Sequence, residues 1–140
     1  MKNTTRILML TLTLLPMLAV AQMRSDTKLQ SQVPFDFMIG SKTVPAGQLI
    51  VQPANPGASI LTLRNWAGKV NMLSTVTRAE MKQPAAENVL VFHKYGHRYF
   101  LTEVKVEGSR TTYRLPESKA ETELQAQNVN PAEEILLALK

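Results

Sequence analysis

The sequence predicts an all-β domain, a small antiparallel sandwich or partly closed barrel of about seven strands with short C-terminal helices. Three observations predict it. Apolar residues in the middle of the chain recur with a period of two, which puts alternate side chains on one face of a pleated strand. Clusters of proline, glycine and asparagine separate the short apolar runs at about ten-residue intervals, the punctuation of sandwiches and barrels. Helix start signals gather after Pro116, which leaves the preceding sheets free to be antiparallel.

At the N-terminus, Lys2 and Arg6 precede an apolar run from Ile7 to Val20, which closes on Ala19-Val20-Ala21 before polar Gln22. Charged, then apolar, then small-x-small is the order of a secretory signal peptide, with cleavage expected after Ala21. Thr11, Thr13 and Pro16 interrupt the run, which falls short of the roughly 20 apolar residues of a bilayer span. No transmembrane segment is therefore expected after cleavage. The expected organisation is a signal peptide over 1–21, a flexible lead-in over 22–32, a β domain over 33–116 and a helical segment over 117–140. With no cysteine, an exported chain must hold its fold by buried apolar surface alone. Losing Lys2 and Arg6 lowers the formal charge from +5 to +3. The remaining basic residues are dispersed, and no nucleic-acid partner is expected without a concentrated basic face.

Along the mature chain, Val33, Phe35, Phe37 and Ile39 alternate with Pro34, Asp36 and Met38, a half-buried strand with proline near its start. Gly40 ends it and Pro45-Ala46-Gly47 makes a turn. Gln48 to Gln52 is the second strand, broken by Pro53-Ala54-Asn55-Pro56-Gly57. Ser59 to Arg64 is the third, and Asn65-Trp66-Ala67-Gly68 turns it into a fourth from Lys69 to Arg78. Ala79 to Asn88 is polar enough for a loop or a single helical turn. Val89 to Lys94 and His97 to Glu107 are rich in Val, Phe and Tyr, and Thr111 to Leu115 adds a short last strand. Ser118-Lys119-Ala120-Glu121 has capping-box spacing and opens a helix to about Gln127. Asn130-Pro131-Ala132-Glu133 opens another, with Ala132, Ile135, Leu136 and Leu139 on one helical stripe.

Both histidines lie in Val91-Phe92-His93-Lys94-Tyr95-Gly96-His97-Arg98. A three-residue hairpin loop places glycine third, in the left-handed region, and Lys94-Tyr95-Gly96 fits. In that register His93 faces His97, Val91 faces Tyr99 and Val89 faces Leu101, while Leu90, Phe92 and Phe100 take the other side. A two-residue loop at Tyr95-Gly96 would put the imidazoles on opposite faces. Two facing histidines are weak metal candidates, since stable sites use three or four ligands and the chain offers no cysteine and no third histidine. No metal and no cofactor is expected. Serines occur outside any Gly-x-Ser-x-Gly elbow, and the two aspartates, Asp26 and Asp36, fall in the lead-in and in a strand. Asp36 fits an outward strand position or a turn acceptor. The glycines stand singly, with no phosphate-cradling cluster. Met38, Met72 and Met81 are isolated and fit as core filler.

Trp66 at a turn is either a lid over the end of the core or an exposed anchor of the type enriched at interaction surfaces. The leucine stripe of the last helix needs cover from its own domain, a second subunit or a partner, because so short a helix is marginal in water.

Five stretches occur in order: Val33-Pro34-Phe35-Asp36-Phe37-Met38-Ile39-Gly40, Val44-Pro45-Ala46-Gly47, Leu90-Val91-Phe92-His93-Lys94-Tyr95-Gly96, Arg98-Tyr99-Phe100-Leu101 and Leu115-Pro116-Glu117-Ser118-Lys119-Ala120-Glu121. Together they resemble a family of small exported acidobacterial proteins of uncharacterised function. The resemblance runs from Val33 to about Leu124 and implies export and a compact, mainly β domain, with no reaction, ligand or catalytic residue to carry over. The chain departs from the pattern at Leu49, where an aromatic is common, at His97, where a short polar residue is usual, and in its tail after Gln127.

The expected function is a non-catalytic exported module, periplasmic or extracellular, acting by protein or surface contacts. Trp66, Tyr95, Tyr99, Ile135, Leu136 and Leu139 are the candidate contact residues. Another envelope protein, or self-association through the C-terminal helix, supplies the expected partner. Two alternatives stand beside it. One is a barrel holding a small apolar ligand among Phe35, Phe37, Phe92 and Phe100. The other is a glycan-acting enzyme using paired glutamates.

Overall fold

The computed structural model describes residues 28–54, 57, 59–127 and 133–139. The expected signal peptide and the start of the lead-in lie outside these residues. The fold is an all-β sandwich of two sheets with no closed barrel.

One sheet has the order β1-β4-β5-β6, all antiparallel, from strands β1 (Leu29–Val33), β4 (Gly47–Pro53), β5 (Ile60–Asn65) and β6 (Val70–Thr75). We call it the front sheet. The back sheet has the order β11-β8-β9-β10-β7, from β7 (Thr77–Glu80), β8 (Val89–Tyr95), β9 (Arg98–Lys105), β10 (Thr111–Arg114) and β11 (Glu133–Ala138). A hairpin of β2 (Phe37–Ile39) and β3 (Lys42–Val44) joins it, β2 lying parallel to β9 at Met38 and Phe100. The period-two pattern builds the core directly. Leu29, Val33, Leu49, Val51, Leu61 and Leu63 point inward from the front sheet and meet Phe37, Ile39, Leu90, Phe92, Leu101 and Val104. Phe92 receives Phe35 and Phe37 edge-on, each with ring centroids 5.3 Å away. Each such buried side chain contributes about 1.5–3 kcal/mol.

Several expectations are corrected by this arrangement. Residues 29–32 of the expected lead-in form β1 together with Val33, with Leu29, Ser31 and Val33 inward and two glutamines outward. The expected strand from Val33 to Ile39 is two strands: the chain leaves the front sheet at Pro34, which cannot donate to a ladder, and enters the back sheet at Phe37. Alternation survives the crossing, since Val33, Phe37 and Ile39 are all buried. The strand expected from Lys69 to Arg78 likewise divides at buried Val76 into β6 and β7, one in each sheet. These two divisions, together with the unexpected strands β3 and β11, bring the strands among the described residues to eleven.

The helix expected from Ser118 is α1 (Lys119–Gln127), and Ser118 Oγ caps it by accepting from Glu121 N at 3.1 Å. The reciprocal half of the box is replaced, because the Glu121 side chain turns inward to His93. The second helix is corrected outright. Residues 133–138 are strand β11, paired antiparallel with β8 from Glu133 opposite Lys94 to Ala138 opposite Val89. Its inward residues Ile135 and Leu137, followed by Leu139, alternate as well as they fit a helical stripe. A ladder on the free edge of β8 satisfies backbone groups that a short helix would leave open at its ends.

Candidate functional site

The two histidines are kept apart. Tyr95 pairs with Arg98, so the hairpin loop is Gly96-His97, with Gly96 at φ 60° in the first central position, as a type II′ turn requires. His97 is exposed in that turn, and His93 sits opposite Phe100. A bulge between Val91 and Phe92 shifts the rest of the register, putting Val91 opposite Glu103 and Val89 opposite Lys105. Leu90, Phe92, Tyr99 and Leu101 therefore join the main core, while Val91, His93, Tyr95 and Phe100 lie on the outer side of the back sheet.

α1 covers that outer side. His93 Nδ1 is 3.1 Å from Glu121 Oε1, with Glu121 only 3% exposed. When Glu121 is ionised, Nδ1–H donates to it, which orients the ring. Burial holds the Glu121 carboxyl above its usual range, and the hydrogen bond and charge of His93 pull the other way. Tyr95 is buried and packs edge-on against Phe100 at 5.8 Å, and its phenol is raised by burial, with Gln125 pulling the other way. An imidazole and a carboxylate in contact are two parts of a nucleophile-activating triad, yet the nearest helix serine, Ser118, is buried and committed to the cap. The pair instead pins α1 to β8. The other glutamates engaged by side chains are Glu103 with Arg114 at 2.8 Å and Glu133 with Lys94 at 2.9 Å. Among the described residues no three His, Cys, Asp or Glu side chains are grouped as metal ligands would be. Asp36 accepts from Ala46 N at 2.7 Å, the turn role.

Of the candidate contact residues, Tyr95 (7% exposed) and Leu139 (6%) are core. Tyr99 is half-buried and stacks on Phe35 at 3.9 Å, and Ile135 is half-buried against the core. Leu136 (59% exposed) and Trp66 (68%) face solvent, on different sheets. The phenylalanine cluster is packed ring to ring, with Phe100 on the far side of the back sheet from Phe92.

Trp66 is thus exposed, which removes the lid reading. Its turn is held rigidly. Asn65 Oδ1 accepts from Gly68 N at 2.7 Å, Asn65 Nδ2 donates to Pro45 O at 3.1 Å, and Lys69 N donates to Trp66 O at 3.2 Å. A Cβ at Gly68 would stand 2.5 Å from Pro45 Cδ, so the close approach of the two turns requires glycine there. Beside Trp66, a depression of about 480 Å³ is lined by Arg64, Asn65, Lys69, Val70 and Asn71. Arg64 and Lys69 are exposed, and among the described residues neither has an ion-pair partner. The sequence contains no acidic residue from Phe37 to Ala79, against Lys42, Arg64, Lys69 and Arg78. Leu73, 68% exposed, stands further along β6. Sequence reasoning missed Arg64, Lys69 and Leu73, although the acid-free stretch was there to be counted. Comparison with protein-family models, with curated proteins and with solved structures finds no match.

Proposed function

We propose that this protein is an exported, non-catalytic module that acts by protein contacts made around Trp66. The leader pattern at the N-terminus supports export, to the periplasm or the medium. The observation that carries the contact reading is the exposure of Trp66 on a turn fixed by three hydrogen bonds and a glycine contact. A large aromatic held out in water on a rigid support suits an interface anchor, because little conformational entropy is left to lose on binding. Membership in the exported acidobacterial family that the motifs resemble is part of the same proposal.

The test is capture from envelope extract by the chain lacking residues 1–21, against its Trp66→Ala variant, with bound proteins identified by mass spectrometry. Partners retained by the parent and lost by the variant are expected. Identical partner sets would reject the reading.

A further inference from the structure

The edges of the two sheets are protected unequally. In the back sheet, β7 is four residues long and carries Arg78 and Glu80, and β11 carries Glu133 and Glu134. The hairpin strand β3 is three residues long and carries exposed Lys42. In the front sheet, β1 meets β11, Ser31 Oγ donating to Ala138 O at 2.9 Å. Short length, charge and covering contacts are the usual defences of a sheet edge. Among the described residues β6 has none of them. Val70-Asn71-Met72-Leu73-Ser74-Thr75 is six residues long, without charge or proline, and among the described residues its ladder runs only to β5.

From these observations, we infer that β6 accepts an added strand from a partner protein, an extended segment bearing carboxylates whose end lies in the depression beside Trp66. This rests on the contact reading above and names its partner's chemistry. Three features converge on one line. The free backbone groups of β6 supply ladder hydrogen bonds. Leu73, on the outer face opposite Thr62, and Trp66 supply apolar contacts at one side of that ladder. Val70 and Asn71, the first residues of β6, also line the depression that holds Arg64 and Lys69, so a strand along β6 is led to two unpaired cations. Because residues 37–79 contain no acid, a carboxylate arriving there meets no repulsion from its own sheet, whereas a basic segment would.

Trp66 is the chain's one tryptophan, so its emission reports the site directly. The probe is a short blocked peptide alternating glutamate with valine, titrated against the chain lacking residues 1–21. Its controls are the same peptide with lysine for glutamate and the glutamate peptide with alternate amides N-methylated. The glutamate peptide is expected to blue-shift Trp66 and to slow amide exchange across residues 70–75. It should bind at least tenfold tighter than the lysine peptide at low salt, with the gap closing as salt rises. N-methylation should abolish binding. The exposed pair R64E and K69E should reverse the preference while leaving the circular dichroism unchanged.

Equal binding of both peptides, or an emission change without amide protection, overturns strand addition. A Trp66 emission shift with inorganic polyphosphate or anionic vesicles that equals the peptide's overturns the polypeptide partner. Sedimentation showing a dimer that itself protects residues 70–75 assigns the edge to a second copy and overturns it too. If no peptide binds while Trp66→Ala still loses its captured partners, the contact reading stands and the strand-adding chemistry falls.

Discussion

The front and back sheets share one core and differ in almost everything on their outer sides. The outer face of the back sheet is covered by α1 and fastened by the contact of half-buried His93 with buried Glu121, and its rim is laced by Arg114 with Glu103 and Lys94 with Glu133. The outer face of the front sheet carries Gln30, Gln48, Thr62, Asn71 and Thr75 with Arg64 as its charge, and its free edge is β6. The difference teaches that polar groups here divide between two tasks. On one side they finish the fold, and on the other, among the described residues, Arg64 is left without an ion pair.

The strongest challenge to that contrast is to cut the core both sheets share. Phe92→Ala, at a fully buried position, should cost about 3–5 kcal/mol and lower both sheets in one urea transition. Two separate transitions would show that the sheets are independent. Next, His93→Ala should cost about 2 kcal/mol, because Glu121 is left buried without its partner, and amide exchange should quicken in α1 before it does in β5. Ser118→Ala removes the cap of the same helix and should cost about 1 kcal/mol by thermal melting.

The pH dependence is smaller and has a definite sign. A carboxyl whose folded pKa lies above its unfolded value favours the folded state most below the unfolded pKa, and that advantage is lost as pH rises through the folded value. Glu121→Gln keeps an acceptor for His93 and removes this loss. Urea titrations from about pH 4 upward should therefore show the variant gaining on the parent as pH rises, until the raised pKa has been passed. A constant difference would mean that Glu121 does not titrate within that range. The smallest stability effects belong to the front sheet, where Trp66→Ala and Leu73→Ser should stay within about 0.5 kcal/mol while weakening capture and peptide binding.

How legible all this was depends on which force decided each element. The core was readable because burial follows the two-residue period at Phe37, Ile39, Leu61, Leu63, Leu90 and Phe92. The cap of α1 was readable because Ser118 acts on an amide three residues away. The hairpin turn was misread, since a lone glycine fits the third place of one loop and the first of another. The bulge at Val91 and Phe92, decided by packing across the sandwich, leaves no local signature. The tail was misread because Ile135, Leu136 and Leu139 satisfy a helical period while Ile135, Leu137 and Leu139 satisfy a strand period, and only the free edge of β8 chooses between them. The Trp66 site was half legible. Its aromatic stood out, but its cations gain meaning only once the turn brings Arg64 and Lys69 to the same depression.

The touch between Ser31 and Ala138 joins the first described strand to the last across 107 positions of sequence. Such a joint cannot close until Ala138 has been synthesised, so the finished sandwich waits on a residue far along the chain, and a shorter nascent chain keeps β8 without its outer neighbour.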